Sequence, residues 1–154
     1  MMYACGLRTN EARPLEVHSI DGDNQILRII GKGNKERLIP IPTPTLKELR
    51  GLWKTHRNKR WLFPNQSGGN AISSCILYRA FKDALNLAGL PVATTPHALR
   101  HSYATRLSEN DVDIRTIQIL LGHADIKTTT IYTHLTEPKR KKLRDRLDAI
   151  MTNL

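Results

Sequence analysis

Apolar residues recur at helical spacing in several stretches of the chain, and each stretch is bounded by residues that start or stop helices. Ser73 or Ser74 can cap one helix that Gly89 would end, and Gly122 would end another. The pattern predicts helices over residues 3–12, 43–56, 74–88, 113–121 and 138–151, and a further helix that opens at residues 95–96.

The apolar positions also predict which side of each helix is buried. The expected buried residues are Leu46, Leu49 and Trp53 in the second helix, Ile76, Leu77, Ala80, Phe81, Ala84, Leu85 and Ala88 in the third, Leu99, Tyr103 and Leu107 in the fourth, and Leu143, Leu147 and Ile150 in the last.

Two β-rich runs, QILRII and KERLIPI, stand on either side of the glycine-rich turn GKGN. Such a turn between two short runs of this kind is typical of a β-hairpin. The segment WLFPNQSGGNAIS is rich in Pro, Gly, Asn and Ser and is predicted to be a loop. The expected fold class is therefore mainly α with a small antiparallel β-hairpin.

The charge of the chain is its most unusual compositional feature. Its 154 residues suffice for one domain with a core, and they include 24 Lys and Arg against 14 Asp and Glu, a formal net charge of +10. This excess indicates a polyanionic partner, nucleic acid first and an anionic membrane second.

Several classes of protein and site are disfavoured by the sequence. No apolar run approaches the ~18 residues that a membrane-spanning helix needs, and the first residues do not resemble a signal peptide. Cys5 and Cys75 are isolated, so neither a zinc knuckle nor a disulfide framework is predicted. A cytoplasmic protein without a metal or cofactor is expected.

Four segments carry chemistry that makes sense together, namely GLRTNE, GKGNKER, TPHALRHSYATRL and IQILLGHADIKTTTIYTH. Guanidinium groups bind phosphate through charge-assisted, often bidentate hydrogen bonds. A tyrosine phenol needs a base and positive surroundings before it attacks, and a lysine on a turn can protonate a leaving alkoxide. No carboxylate cluster for Mg²⁺ is visible in the sequence.

These four segments, in this order and with a tyrosine nine residues after the Gly-His pair, resemble the tyrosine recombinases, also called the phage integrase family. The similarity extends from Tyr3 to His134 and is greatest to XerC/XerD-like and integron-type members. It implies the DNA breaking-rejoining catalytic fold, double-stranded DNA as partner, and strand exchange through a 3′-phosphotyrosyl intermediate without metal or ATP.

The resemblance also implies a role for each matching residue. Arg8 matches the first catalytic arginine, Glu11 the acidic residue that orients it, and Lys32 the hairpin general acid. The remaining matches are His97 as general base, Arg100 as second phosphate clamp, His123 as a hydrogen-bond donor to the scissile phosphate, and Tyr132 as nucleophile. Arg8, His97, Arg100 and His123 are expected to face one basic cleft.

Further DNA contacts are predicted at Lys35, Arg37, Arg106, Lys127 and Thr128. The basic run in residues 139–146 is either a solvated helix face or a phosphate-facing patch. The apolar stripe beside it either docks on a neighbouring recombinase protomer, as in similar recombinases, or packs on its own domain.

Each residue also has a plainer interpretation. A lone tyrosine is usually a half-buried packing residue. His97 and His101, four apart on one helix, fit a metal pair, but no third ligand is evident. A further hypothesis is a basic structural protein that binds RNA or DNA. Such a protein would need no tyrosine in register with His123, so this hypothesis is disfavoured.

Family members carry an amino-terminal DNA-clamping domain, whereas the first motif here begins at Gly6. Residues 1–154 are therefore expected to be a catalytic domain that lacks the clamp and the opening helices of the domain. Arg13 and Pro14 stand where the family tends to have leucines, and proline would end the first helix soon after Glu11. The alternative function is a remnant that binds DNA or a partner recombinase without catalytic turnover.

Overall fold

The computed structural model describes residues 1–31, 36–122 and 137–152. The helices are α1 (Thr9–Ala12), α2 (Thr43–His56), α3 (Ser74–Leu87), α4 (Pro96–Glu109), α5 (Ile114–Leu121) and α6 (Glu137–Thr152). The strands are β1 (Ile20–Asp21), β2 (Ile26–Ile30) and β3 (Glu36–Pro40), which form one antiparallel sheet in this order. The predicted class, mainly α with a small antiparallel sheet, is confirmed.

Strands β2 and β3 pair with each other as the predicted hairpin requires. Leu27 lies opposite Ile39, and Ile29 lies opposite Arg37. Leu27, Ile29 and Ile39 are buried on one face, because successive side chains of a strand point to opposite faces. Strand β1 adds an edge that the sequence did not predict.

Helix α1 is much shorter than predicted, and the expectation of a helix from Tyr3 is wrong. Gly6 has φ +62°, a left-handed conformation that interrupts any helix. A Cβ atom on Gly6 would stand 2.5 Å from the Tyr103 ring, so only glycine fits here. At the other end α1 stops at Ala12, two residues before Pro14, as expected.

The predicted limits of α3 and α5 are confirmed by their capping contacts. The Ser73 hydroxyl accepts a hydrogen bond from the backbone N–H of Ile76 at the start of α3. Asp113 accepts one from the N–H of Thr116 at the start of α5. Gly122, with φ +66°, ends α5 in the left-handed conformation.

Two apolar clusters form the core. The first combines the amino-terminal segment, the inner face of the sheet and α2, and the second combines α4, α5 and α6. Leu143, Leu147 and Ile150 of α6 are buried in the second cluster. Asp148 also accepts hydrogen bonds from the backbone N–H and the hydroxyl of Thr43, at 2.6 and 2.7 Å. In this structure α6 therefore packs on its own domain.

Helix α3 buries far less of its apolar face than predicted. Leu85 is its one buried residue, whereas Ile76 and Leu87 are exposed. Leu90 and Val92, which follow the helix, are exposed as well. Across the described ranges, no helix has the length and apolar character needed to cross a membrane.

Candidate active site

Glu11 is the centre of a cluster of charged side chains at the start of α1. Its carboxylate accepts from the backbone N–H and Nη1 of Arg8, at 2.7 and 3.1 Å. It also accepts from Nη1 and Nη2 of Arg37, at 2.8 and 2.7 Å. A carboxylate offers about four lone-pair sites, so these bonds satisfy Glu11 completely.

The environment of Glu11 keeps it ionised. Burial by itself would raise the pKa of this carboxyl group, because it disfavours the charged form. The hydrogen bonds and charge of Arg37, together with the hydrogen bonds from Arg8, outweigh burial and lower the pKa from 4.5 to about 2. Glu11 is therefore a fixed anion at neutral pH.

Arg8 is held at two points and still reaches the surface. Its Nη1 is bonded to Glu11, and its Nη2 donates to the carbonyl oxygen of Gly122 over a long 3.4 Å. The side chain is 43% exposed. A guanidinium group has five N–H donors, so Arg8 keeps donors that can bind an anion.

Arg100 lies beside Arg8 and is buried. Its Nη1 donates to the carbonyl oxygen of Gly6, and its Nη2 donates to that of Leu121 at 2.6 Å. Burial lowers the pKa of Arg100 to about 10, and the neighbouring charge of Arg8 acts in the same direction. The guanidinium group stays protonated at neutral pH, and each terminal nitrogen keeps a second N–H.

The two arginines thus converge on consecutive peptide groups at the end of α5. Arg100 bonds to the carbonyl of Leu121 and Arg8 to that of Gly122. His123 is the next residue in the chain. Arg8 and Glu11 of the segment GLRTNE therefore lie close to Arg100 of the segment TPHALRHSYATRL.

His97 and Arg106 lie on the same helix as Arg100. His97 is exposed in the first turn of α4, three residues before Arg100, and His101 is exposed one turn later. Arg106 is partly exposed in the last turn.

The other predicted site residues lie outside the described residues. They are Lys32 and Lys35, between β2 and β3 in the sequence, and His123, Lys127, Thr128 and Tyr132, which follow α5 in the sequence. Their roles remain predictions. Within residues 1–31, 36–122 and 137–152, no three His, Cys, Asp or Glu side chains are grouped as metal ligands would be.

Arg37 has a position that the sequence analysis did not anticipate. It was expected to contact DNA, yet its side chain is 8% exposed and both terminal nitrogens are bonded to Glu11. One signal in the sequence pointed to burial. Arg37 is two residues from Ile39, so both share the inner face of the hairpin.

Comparisons with known proteins show the family of the chain. A model of the phage integrase family matches residues 1–139. Tyrosine recombinase XerD of Lacticaseibacillus casei is 40% identical over 142 residues, which are 88% of this chain and 48% of the relative. Tyrosine recombinase XerC of Alcanivorax borkumensis is 41% identical over 142 residues, 88% of this chain and 46% of the relative.

Solved structures extend the similarity to the fold. The XerA recombinase matches with a TM-score of 0.73 and 27% identity, over 94% of this chain and 54% of the other. The XerH site-specific recombinase bound to difH substrate matches with a TM-score of 0.72 and 30% identity, over 92% of this chain and 43% of the other. The chain spans about half the length of the relatives it matches.

Proposed function

Since the chain belongs to the phage integrase family, we propose that it is the catalytic part of a tyrosine recombinase, which cleaves and rejoins DNA strands at specific sites. The observation that carries this proposal is the convergence of Arg8 and Arg100 on the carbonyls of Gly122 and Leu121, directly before His123. Two guanidinium groups at one place are suited to bind a single phosphate diester.

The proposed reaction forms one bond and breaks one. The phenolic oxygen of Tyr132 attacks the scissile phosphorus, and the bond from phosphorus to the 5′ oxygen breaks. The positive charges of Arg8 and Arg100 stabilise the negative charge that develops on the phosphate oxygens. The product is a 3′-phosphotyrosyl link, and the reverse reaction with another 5′-hydroxyl rejoins the strands.

Two groups are proposed to move the protons. His97 accepts the proton of the attacking phenol, directly or through water, and its exposed position at the start of α4 leaves it open to substrate. Lys32 gives a proton to the departing 5′ oxygen. No metal ion or cofactor takes part in this scheme, since the cations come from side chains.

Double-stranded DNA is the proposed partner. The net charge of +10 favours binding to a polyanion, and XerH is a relative solved with its difH substrate. We expect the isolated chain to bind DNA weakly, with little sequence selectivity and a steep dependence of affinity on salt, because contacts to phosphate dominate. Nanomolar, site-specific binding at physiological salt would contradict this expectation.

The finer parts of the assignment belong to the same proposal. Residues 1–154 act as one catalytic domain in the cytoplasm, and other recombinase protomers join it on DNA. DNA phosphates are contacted by the exposed basic side chains of α6 and by the predicted contact residues Lys35, Arg106, Lys127 and Thr128. Light scattering of the chain with and without its DNA site tests whether protomers assemble.

The decisive experiment uses a nicked suicide duplex that carries the recombination site of the native locus. Cleavage releases a short strand that cannot religate, so the covalent adduct accumulates and is seen as a shifted band on a denaturing gel. Wild-type chain is expected to form the adduct. Tyr132→Phe removes the attacking oxygen and little volume, so it should abolish the adduct and leave DNA affinity nearly unchanged.

Tyr78→Phe is the matched control, since it makes the same chemical change at an exposed tyrosine of α3. This variant should form the adduct at the wild-type rate. An adduct that persists in Tyr132→Phe would refute the assignment of Tyr132 as the nucleophile. DNA binding by the wild type with no adduct would favour the alternative, a remnant that binds DNA without turnover.

A further inference from the structure

Arg37 is a buried cation that the proposed reaction does not use. It lies in β3 opposite Ile29, and its guanidinium group binds both carboxylate oxygens of Glu11 at 2.8 and 2.7 Å. The desolvation of a buried guanidinium group is costly unless a bidentate partner of this kind offsets it. This side chain is therefore placed by specific contacts.

The same side chain also packs beneath the Gly122 turn. A Cβ atom at Gly122 would stand 2.9 Å from Nη1 and 3.1 Å from Cδ of Arg37. The carbonyl oxygen of Gly122 is the second acceptor of Arg8. Arg37 thus contacts both groups that hold the Arg8 guanidinium, the carboxylate on one side and the turn on the other.

We propose that Arg37 is a positioning residue of the phosphate site, which acts through Glu11 and the Gly122 turn to hold Arg8 in place. This inference rests on the proposed function, because it assumes that Arg8 binds the scissile phosphate. Arg37 is not assigned to the phosphate itself, because both of its terminal nitrogens bind the anionic Glu11 carboxylate, which neutralises its charge. Arg100 is equally buried, but its terminal nitrogens bond only to neutral carbonyl oxygens, so its charge is not neutralised in this way.

The geometry explains why Arg8 needs such support. The pair of Arg8 with Glu11 joins neighbours on a single short turn, and Arg8 is half exposed, so water competes for it. Arg37 comes from a strand that is hydrogen-bonded to β2 and is shielded from water. It fixes both oxygens of Glu11, so the carboxylate cannot turn away when Arg8 meets a phosphate.

The test is a double-mutant cycle on DNA affinity, with wild type, Arg37→Met, Arg8→Ala and the double variant. Methionine keeps much of the apolar stem and removes the charge. Arg37→Met should weaken binding of a duplex roughly three- to tenfold. In the Arg8→Ala background the same change should have an effect below about twofold, because Arg8 is no longer there to be positioned.

The rate of adduct formation gives a second readout. At saturating DNA, Arg37→Met should lower the single-turnover rate on the suicide duplex on the order of 10–100-fold, as expected when a catalytic group is misplaced. Arg37→Lys should recover part of this loss, since an ammonium group keeps the charge but lacks the bidentate fork.

Arg28→Met is the matched control. Arg28 lies on the neighbouring strand and forms an exposed ion pair with Glu36 at 2.8 Å. Its removal should change neither DNA affinity nor rate by more than about twofold. If Arg37→Met fails to fold, Glu11→Gln and Arg37→Lys replace it in the cycle, because both keep the volume of the site.

The outcomes separate the two proposals. If wild type forms no adduct, the proposed function is overturned and this inference with it. If wild type forms the adduct and Arg37→Met weakens binding equally with and without Arg8, Arg37 stabilises the fold and positions nothing, and only this inference is overturned. A loss confined to the background that contains Arg8 supports it.

Discussion

The charged cluster around Glu11 and the exposed face of α3 are opposite exceptions to the rule that apolar groups lie inside. In the first, the charged side chains of Arg37 and Glu11 are 8% and 12% exposed. In the second, Leu87 is 90% exposed. The buried charges are stabilised here by the bidentate pair of Arg37 with Glu11, whereas an apolar face is buried only if another element covers it. The comparison predicts that substitutions in the first region are costly and those in the second are mild.

The largest effect is expected for Glu11→Ala. This change leaves Arg37 as a buried cation without its partner, which should lower the free energy of unfolding by about 3–5 kcal/mol. Urea denaturation followed by circular dichroism measures the loss. The control is Glu36→Ala, which removes an exposed partner of Arg28 and should cost at most ~1 kcal/mol. Similar losses in the two variants would contradict the special role of burial.

Acid should weaken the charged cluster in a defined pH range. The pKa of Glu11 is about 2 in the folded protein and 4.5 in a free glutamate. The folded-state pKa is the lower one, so the stabilisation is fully present above pH 4.5 and is lost as the pH falls towards 2. A shift of this size corresponds to on the order of 3 kcal/mol.

The measurement is the free energy of unfolding of wild type and Glu11→Gln between pH 2 and 6. The difference between the two proteins should shrink as the pH falls through this range, because the glutamine does not titrate. A difference that is constant with pH would show that the carboxylate is not the group that stabilises the cluster.

The third comparison uses two glycines that end helices in the left-handed conformation. Gly122 has φ +66° and Gly89 has φ +64°, so alanine costs each about 1 kcal/mol of backbone strain. At Gly122 the new methyl group would also press on Arg37, whereas at Gly89 it meets nothing within 4 Å. Gly122→Ala should therefore be more destabilising than Gly89→Ala. Of the two variants, only Gly122→Ala should weaken DNA binding.

Thermal unfolding and DNA affinity of the two alanine variants test this directly. Equal losses of stability would mean that the Arg37 side chain moves away from the new methyl group without lowering the free energy of unfolding. Unchanged DNA affinity in Gly122→Ala would weaken the link between the turn and Arg8.

Local signals in the sequence were sufficient for the limits of several elements and for one pair of residues in the candidate site. Asp113 and Gly122 fix the two ends of α5 through their own backbone neighbours, so these limits could be predicted without knowing the fold. The pairing of Arg8 with Glu11 is equally local, since the two residues are one turn apart. The contact of both arginines with the end of α5 joins residues far apart in the sequence, and the sequence analysis did not predict it.

Features that depend on distant contacts were missed or misjudged. The helix expected from Tyr3 fails because Gly6 must pass close to the Tyr103 ring. The pairing of Arg37 with Glu11 was missed, although the phase of Arg37 with Ile39 places both residues on the inner face of the hairpin. The apolar pattern of α3 predicted a helix correctly, but a pattern says which face is apolar and nothing about what covers it.

The smallest effect is expected on α3, where Leu87→Ser removes an exposed apolar side chain. Since Leu87 is 90% exposed, little burial is lost, and the free energy of unfolding should change by less than about 0.5 kcal/mol. Binding of a dye that reports exposed apolar surface should fall. Leu85→Ala is the control on the same helix: Leu85 is buried, and its truncation should cost about 2–5 kcal/mol. A loss above ~1.5 kcal/mol in Leu87→Ser, growing with protein concentration, would mean that another copy covers this face in solution, and the contrast with the charged cluster would then disappear.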